Sequence, residues 1–331
     1  TEDEVIARLS AFRDHRGTER QASEELGIRW SGDWPDMARG AREWLRQTRD
    51  LREYVQPITY RPFDDRFVIY SDRFLDTPCS AVMDHMVRGR ENWLLLFGRS
   101  VRYGMPDQFF VTRGLAEAKS AEASRQCHAA PLYLIHDDLG AGAEPNLSTE
   151  FRRRMETDWR GQLSVPAAFG YIYAILNSNR FREAYAQQLC AEFARIPMLP
   201  IEIATLVAEQ GEQLVGIHSG TVNPPLITDF PVAEPRTLVA DLPHTQRWRA
   251  AEDGWNLWLN DTQYIGSVPS QIPSTRIGGY PVIDKWLSWR IGHALSVHEV
   301  VHLQRIVSRL EASIGVVGQI DQLIGNLIAP T

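Results

Sequence analysis

The strongest constraint on this chain is that its apolar residues change period from block to block without a regular alternation of strand and helix. A period of 3.6 residues marks an amphipathic helix and a period of two a half-buried strand. Residues 1–55 read as helical, with Met37, Ala41, Trp44, Thr48 and Leu51 on one stripe. Arg39, Arg42, Arg46, Arg49 and Arg52 fall largely outside it, interleaved with Glu43, Asp50 and Glu53 as on a solvated face. Pro57 is expected to end that segment. Residues 58–60 and 67–70 then read as strands around a turn at 61–66, followed by strands at 93–97, 109–112 and 131–135. The stretch 116–130 is polar, and 140–148 is loop by composition. Helical periodicity returns over 166–176 and 180–193, joined by Asn177-Ser178-Asn179, with Pro197 and Pro200 stopping the second helix. Residues 219–245 read as a proline-rich surface connection, 255–259 and 263–265 as short strands, and 281–328 as a helical tail. This mixture predicts an α+β fold. A helical connector (1–55) leads into one domain (56–331), with a mixed-sheet core to about residue 275 and the helical tail behind it.

A length of 331 residues allows two domains, or one large domain with an appendage. The longest apolar runs, such as 93–97, fall far short of the ~18 residues of a membrane span, and no secretory leader opens the chain. The chain begins at Thr1 inside a polar helical pattern, which suggests a piece of something longer. Three cysteines, Cys79, Cys127 and Cys190, are an odd number with no metal-ligand spacing, as expected for a reducing cytoplasm. The net charge of −7 argues against a general nucleic-acid coat. Of 35 basic residues only Lys119 and Lys285 are lysines; the other 33 are arginines, whose planar fork suits phosphate and guanine. A GC-rich coding sequence produces the same bias.

The sharpest short motif is His298-Glu299-Val300-Val301-His302, the H-E-x-x-H pattern in which two imidazoles on one helix face hold zinc and the Glu activates water. A third ligand is lacking at the extended positions, where Arg305 and Ser308 stand. The same residues fit a capping box, Ser296-x-x-Glu299, ahead of a core stripe of Val300, Leu303, Val307, Leu310, Ile314 and Val317. His298, His302, Arg305 and Arg309 would then lie on the opposite face. Asn223-Pro224-Pro225-Leu226 is close to the Asn-Pro-Pro-aromatic motif of amino-methyltransferases, but Leu226 cannot stack on a flipped base, so the string reads as a proline loop. Ile277-Gly278-Gly279-Tyr280 reads as a tight turn. No phosphate-binding P-loop and no nucleophile elbow is present.

Longer strings point one way. They are Tyr60-Arg61-Pro62-Phe63-Asp64-Asp65-Arg66 with Tyr70; Met83-Asp84-His85-Met86 with Asn92-Trp93; Pro131-Leu132-Tyr133-Leu134 with Pro145-Asn146-Leu147; residues 171–178 through Arg182 and Tyr185 to Phe193-Ala194-Arg195-Ile196-Pro197; and residues 277–280 through Lys285-Trp286-Leu287 to His302 and Arg305-Ile306-Val307. In this order the chain resembles, from about Tyr60 to Ile314, the C-terminal target recognition domain of Type ISP restriction-modification enzymes. Those are single polypeptides carrying a nuclease, a motor, an adenine-specific DNA methyltransferase and a target recognition domain. The resemblance implies a phage-defence, DNA-binding module with no catalytic residues of its own. It would act in the cytoplasm on double-stranded DNA beside an upstream methyltransferase domain, away from membranes. S-adenosylmethionine, ATP and Mg would be expected only in the missing domains, with no metal in this chain. It also implies that the H-E-x-x-H pattern is coincidental. Polar residues in expected loops and turns make Arg61, Arg66, Arg99, Arg102, Arg113, Asn177, Asn179, Arg276 and Lys285 the DNA-contact candidates, with an Arg61–Asp64 salt bridge as the competing role for Arg61. The alternatives are a zinc-dependent hydrolase using His298, Glu299 and His302, and a protein-interaction module.

Overall fold

The computed structural model describes residues 1–30, 34–75, 77–99, 106–136, 142–232, 236–325 and 327–328. Helices α1 (Glu2–Asp14), α2 (Glu19–Glu25) and α3 (Trp34–Gln47) open the chain. The first two start at capping boxes, Thr1 with Glu4 and Thr18 with Gln21. Arg42 of α3 departs from the expected solvated face. It is buried, and its guanidinium donates to the carbonyls of Arg13 (3.4 Å), His15 and Gly17 (2.9 Å). These lie at and just beyond the end of α1, where helix geometry leaves carbonyls without partners.

Strands β1 (Val55–Arg61) and β2 (Asp64–Ile69) form an antiparallel hairpin with Pro62-Phe63 at its tip. The helical segment therefore stops at Gln47, and Pro57 lies inside a strand. It is tolerated there because β5 (Leu115–Ala116) joins β1 in parallel only from Ile58, so at Pro57 the strand has a partner on one side. Leu9, Phe12, Leu45, Val55 and Ile69 share one apolar cluster, which packs the three helices onto the hairpin.

After a short helix α4 (Ser80–Met83), β3 (Leu94–Phe97) lies between β4 (Phe109–Thr112) and β6 (His128–Pro131), antiparallel to both. The single strand expected over 131–135 is two. The Asn92 side chain takes both the N–H (3.0 Å) and the carbonyl (2.8 Å) of Tyr133, which diverts the chain into a separate hairpin of β7 (Tyr133–Ile135) and β8 (Ala143–Pro145). Helix α5 (Thr149–Thr157) follows, then α6 (Val165–Asn177), capped by Ser164. The helix expected over 180–193 is also two, α7 (Asn179–Ala184) and α8 (Ala186–Ala191), broken at Tyr185. Helix α9 (Ile201–Ser219) has no counterpart in the sequence reading. Pro200, taken there as a stop, is its N-cap. Helices α6 and α9 touch at Gly170 and Gly211, where a Cβ on Gly211 would stand 1.9 Å from the Gly170 carbonyl oxygen.

Among the described residues of 219–245, the regular elements beyond the end of α9 are β9 (Thr237–Leu238) and the start of α10 (His244–Arg247). Strands β10 (Trp248–Ala251), β11 (Gly254–Trp258) and β12 (Tyr264–Val268) form an antiparallel meander. The hairpin of β13 (Arg276–Ile277) and β14 (Tyr280–Pro281) turns on Gly278 and Gly279, both at positive φ; a side chain on Gly278 would collide with the Ala121 carbonyl. The tail is discontinuous: α11 (Val282–Ser288) ends, β15 (Ala294–Leu295) pairs with β9, and α12 (Val297–Ile324) restarts at Ser296. No helix of the described residues is long and apolar enough to cross a membrane.

The sheet of β4, β3 and β6 separates two apolar cores. Successive strand residues face opposite sides. Leu94, Leu96 and Phe110 join a core with the meander, α11 and the first half of α12 (Val300, Leu303, Val307, Leu310). Phe109 and Val111 join α6, α9 and the second half of α12 (Val316, Ile320, Ile324). The buried stripe of α12 shifts between the two cores, which leaves Ile314 exposed. At their seam lies His218, buried, with its ring stacked on Phe110 and edge-on to Phe63. The Ser313 hydroxyl donates to the Arg309 carbonyl (2.7 Å), so Ser313 Oγ accepts from His218 Nε2–H (2.9 Å), and Nδ1 accepts from the Tyr173 hydroxyl (2.6 Å). Burial, aided by nearby Arg309, pushes the imidazole pKa down to about 3.

Two outcomes are expected. The unfolded chain binds the His218 proton below its ordinary pKa near 6.5 while the folded chain does not, so stability drops as the pH is lowered from about 6.5 toward 3. Urea unfolding should give a free energy about 2 kcal/mol lower at pH 5 than at pH 7.5 from this residue, and His218→Gln should flatten that part of the slope. Gly211→Ala should cost about 1–3 kcal/mol in the same assay by forcing α6 and α9 apart.

Candidate nucleic-acid interface

Three cations anticipated from the sequence come together on one patch. The β1–β2 hairpin supplies Arg61 and Arg66 with Tyr60, the β13–β14 hairpin supplies Tyr280, and α11 supplies Lys285. Trp289, four residues after Lys285, lies on the same side of the helix end. The Tyr60 ring centre is 4.1 Å from the Arg61 guanidinium carbon and 4.0 Å from that of Arg66. Arg66 also lies 5.5 Å from the Trp289 ring, and Tyr60 and Trp289 meet edge to face at 5.4 Å. Lys285 Nζ stands 5.0 Å from the Trp289 ring and 5.9 Å from Tyr280. A cation over an aromatic face is attracted by the ring's quadrupole while keeping its charge.

Carboxylates separate the roles of these cations. Asp64, 1% exposed, accepts from Arg66 Nη2 (2.8 Å) and from Arg290 Nη2 (3.0 Å). Arg290 in turn stacks on Trp286 at 3.6 Å. Asp64 and Arg66 share a strand face, which favours this pairing over the Arg61–Asp64 lock weighed from sequence. Arg61 is nearly buried; it pairs with Glu117 and donates to the Tyr60 carbonyl, while its Nε is buried without a hydrogen-bond partner. Among the described residues no carboxylate lies within ion-pair distance of Lys285, and burial together with Arg61 lowers its pKa. Burial likewise pushes the Tyr280 pKa up to about 12, and its hydroxyl donates to the Lys119 carbonyl (3.0 Å). The Lys119 backbone thus borders this patch. Sequence reasoning missed the rings, although Lys285 and Trp289 are spaced one helical turn apart.

The other candidates are dispersed. Arg276 of β13 donates to the Gly279 carbonyl (3.2 Å) and lines a cavity of about 670 Å³ with Arg247, Asp284 and Ser288. Arg113 is exposed in the turn between β4 and β5. Arg99 is exposed after β3, with its guanidinium 5.5 Å from the ring of exposed Phe193. Arg102 lies outside the described residues. Asn177 is not in a loop: it is buried as the last residue of α6, donating to the Tyr173 carbonyl (3.0 Å). Asn179 opens α7, where it donates to Asp321 (3.0 Å) and accepts from Arg182 (2.6 Å), tying α7 to α12. The apparent loop is a single residue, Ser178, that ends one helix and caps the next.

The H-E-x-x-H residues have local partners. Glu299 accepts from the backbone and hydroxyl of Ser296 (2.9 Å each), completing the capping box. His302 Nε2 donates to the Phe63 carbonyl (3.0 Å), and burial lowers its pKa. His298 is exposed. Among the described residues no three His, Cys, Asp or Glu side chains are grouped to hold a metal. Asn223 accepts from Arg309 (2.7 Å) at the start of the proline loop.

Asp64 neutralises two guanidiniums from inside the fold. Asp64→Asn should lower the urea-unfolding free energy by about 1.5–3 kcal/mol, the range for hydrogen bonds to charged groups.

The chain matches the family described as Type ISP C-terminal specificity domain over residues 1–316, a span that takes in the N-terminal helices. Three solved structures share its fold. One is a nuclease-deletion mutant of the Type ISP restriction-modification enzyme LlaGI in complex with a DNA substrate mimic (16% identity, TM-score 0.60, 99% of this chain, 31% of that one). Another is the DrdV–DNA complex determined by cryo-electron microscopy (18%, 0.64, 100% and 34%). The third is the ATP-dependent Type ISP restriction-modification enzyme LlaBIII bound to DNA (18%, 0.65, 99% and 22%). The chain spans about a third or less of the length of each. No curated protein matches it. With nearly its whole length matched by one family, the chain belongs to the Type ISP C-terminal specificity domains.

Proposed function

We propose that this chain is the sequence-reading module of a restriction-modification enzyme. It binds double-stranded DNA and selects the site at which other domains methylate adenine and cleave. The observation that carries the reading is the patch of Arg61, Arg66 and Lys285 on Tyr60, Tyr280 and Trp289. On a chain of net charge −7, binding to a polyanion requires cations to be concentrated locally, and this patch concentrates them. Phosphate contacts set register and base-edge contacts set sequence, and the patch holds both kinds of donor: a mobile lysine and a fixed arginine. Membership of a family described as specificity domains, and structural neighbours described as DNA complexes, support the same reading.

In this reading the partner beside the module is a methyltransferase domain of the same polypeptide, and the site of action is the cytoplasm. S-adenosylmethionine, ATP and Mg would serve those other domains, and no catalytic step falls to this chain. The zinc-hydrolase alternative is disfavoured because Glu299 and His302 already serve the helix cap and the hairpin.

Selection of the purified chain against a randomised duplex library at low salt should enrich one short asymmetric motif. Recovery of no motif would sink autonomous reading. In binding titrations Lys285→Ala should weaken all duplexes alike and reduce the slope of log affinity against log salt by about 0.9, the value for one released phosphate contact.

A further inference from the structure

We propose that Arg66 reads a guanine and that Asp64 is the positioning residue that aims it. The inference rests on the DNA-reading function above and names the base class for one residue of that patch. Arg66 differs from the neighbouring arginines in three respects. Its side chain is 36% exposed, against 11% for Arg61 and 18% for Arg290, so it is the arginine of this patch that presents its head group outward. Among the described residues its one hydrogen bond runs from Nη2 to Asp64 Oδ2, which leaves Nε, Nη1 and the second Nη2 hydrogen for a ligand. Its plane is fixed: Asp64 is held from behind by Arg290, and the Tyr60 ring underlies the guanidinium at 4.0 Å.

A phosphate is met equally well from many directions by a flexible cation, as Lys285 offers. A guanidinium locked in plane and orientation favours a ligand with two acceptors at fixed separation in one plane. Among base edges in the major groove, guanine presents that pair, O6 and N7, whereas adenine and cytosine place an amino donor there and thymine has one acceptor beside a methyl group. Arg61 is poorly placed for this role: its Nη1 is spent on Glu117 and the Tyr60 carbonyl, its Nε is buried, and its side chain is only 11% exposed.

The test is a parallel selection of the full chain and four variants from one randomised duplex library: Arg66→Ala, Arg66→Lys, Asp64→Asn and Lys285→Ala. Arg66→Lys keeps the charge and the aliphatic stem, so it reports even where Arg66→Ala folds poorly. The parent should select a motif containing guanine. Both Arg66 variants should lose roughly 10- to 100-fold discrimination at one guanine while the other positions stay sharp. Asp64→Asn should blunt the same position, and Lys285→Ala should sharpen or blunt none. A uniform loss with every guanine retained would make Arg66 a phosphate contact and overturn the inference, as would a parent motif without guanine. A parent that selects no motif sinks autonomous DNA reading, and the inference with it.

Discussion

The architecture depends on a sheet of three short strands, of which β3 and β4 are packed on both faces. Because β3 and β4 point alternate side chains into two different cores, neither core can form without the sheet and the sheet cannot form without both. Helix α12 answers the same constraint. At 28 residues, about 42 Å, it is long enough to serve one core with its first half and the other with its second. His218 sits at the join, where a charge would be unaffordable and where both ring nitrogens are taken by neutral hydroxyls.

The patch of cations and rings inherits its rigidity from this seam. Phe63, at the tip of the β1–β2 hairpin, adopts a left-handed backbone conformation and packs against Phe110 and His218. Its carbonyl is held by His302 of α12. The hairpin that carries Tyr60, Arg61 and Arg66 is thus fastened at its tip to the interior, and its residues reach the patch from a fixed base. A histidine that looked like half of a zinc motif is one of the fasteners.

Much of this was legible in the sequence. Short apolar runs located β2, β3 and β4, the capping box located the start of α12, and the ordered strings led to the family. The losses have physical causes. Pro200 and Pro57 were read as breakers, but a proline can also begin a helix or sit where a strand has one neighbour. Asn177 and Asn179 were read as loop donors because two helices meeting at one shared capping serine leave no loop residue between them. The patch itself was half legible. Its arginines stood out, but which carboxylate meets which arginine is set by long-range packing, as Arg290 and Asp64, 226 residues apart, show.

The double pairing of Asp64 has a consequence for how such a module can change. A buried carboxylate with a single partner ties that partner to the fold, since losing it would strand a charge. Asp64 has Arg290 as a second partner, so exchange of the side chain at position 66 leaves the buried pair intact. The outward residue is thereby uncoupled from the scaffold that aims it. If Arg66 reads a base as proposed, recognition at this position can drift by single substitutions while the buried framework is preserved.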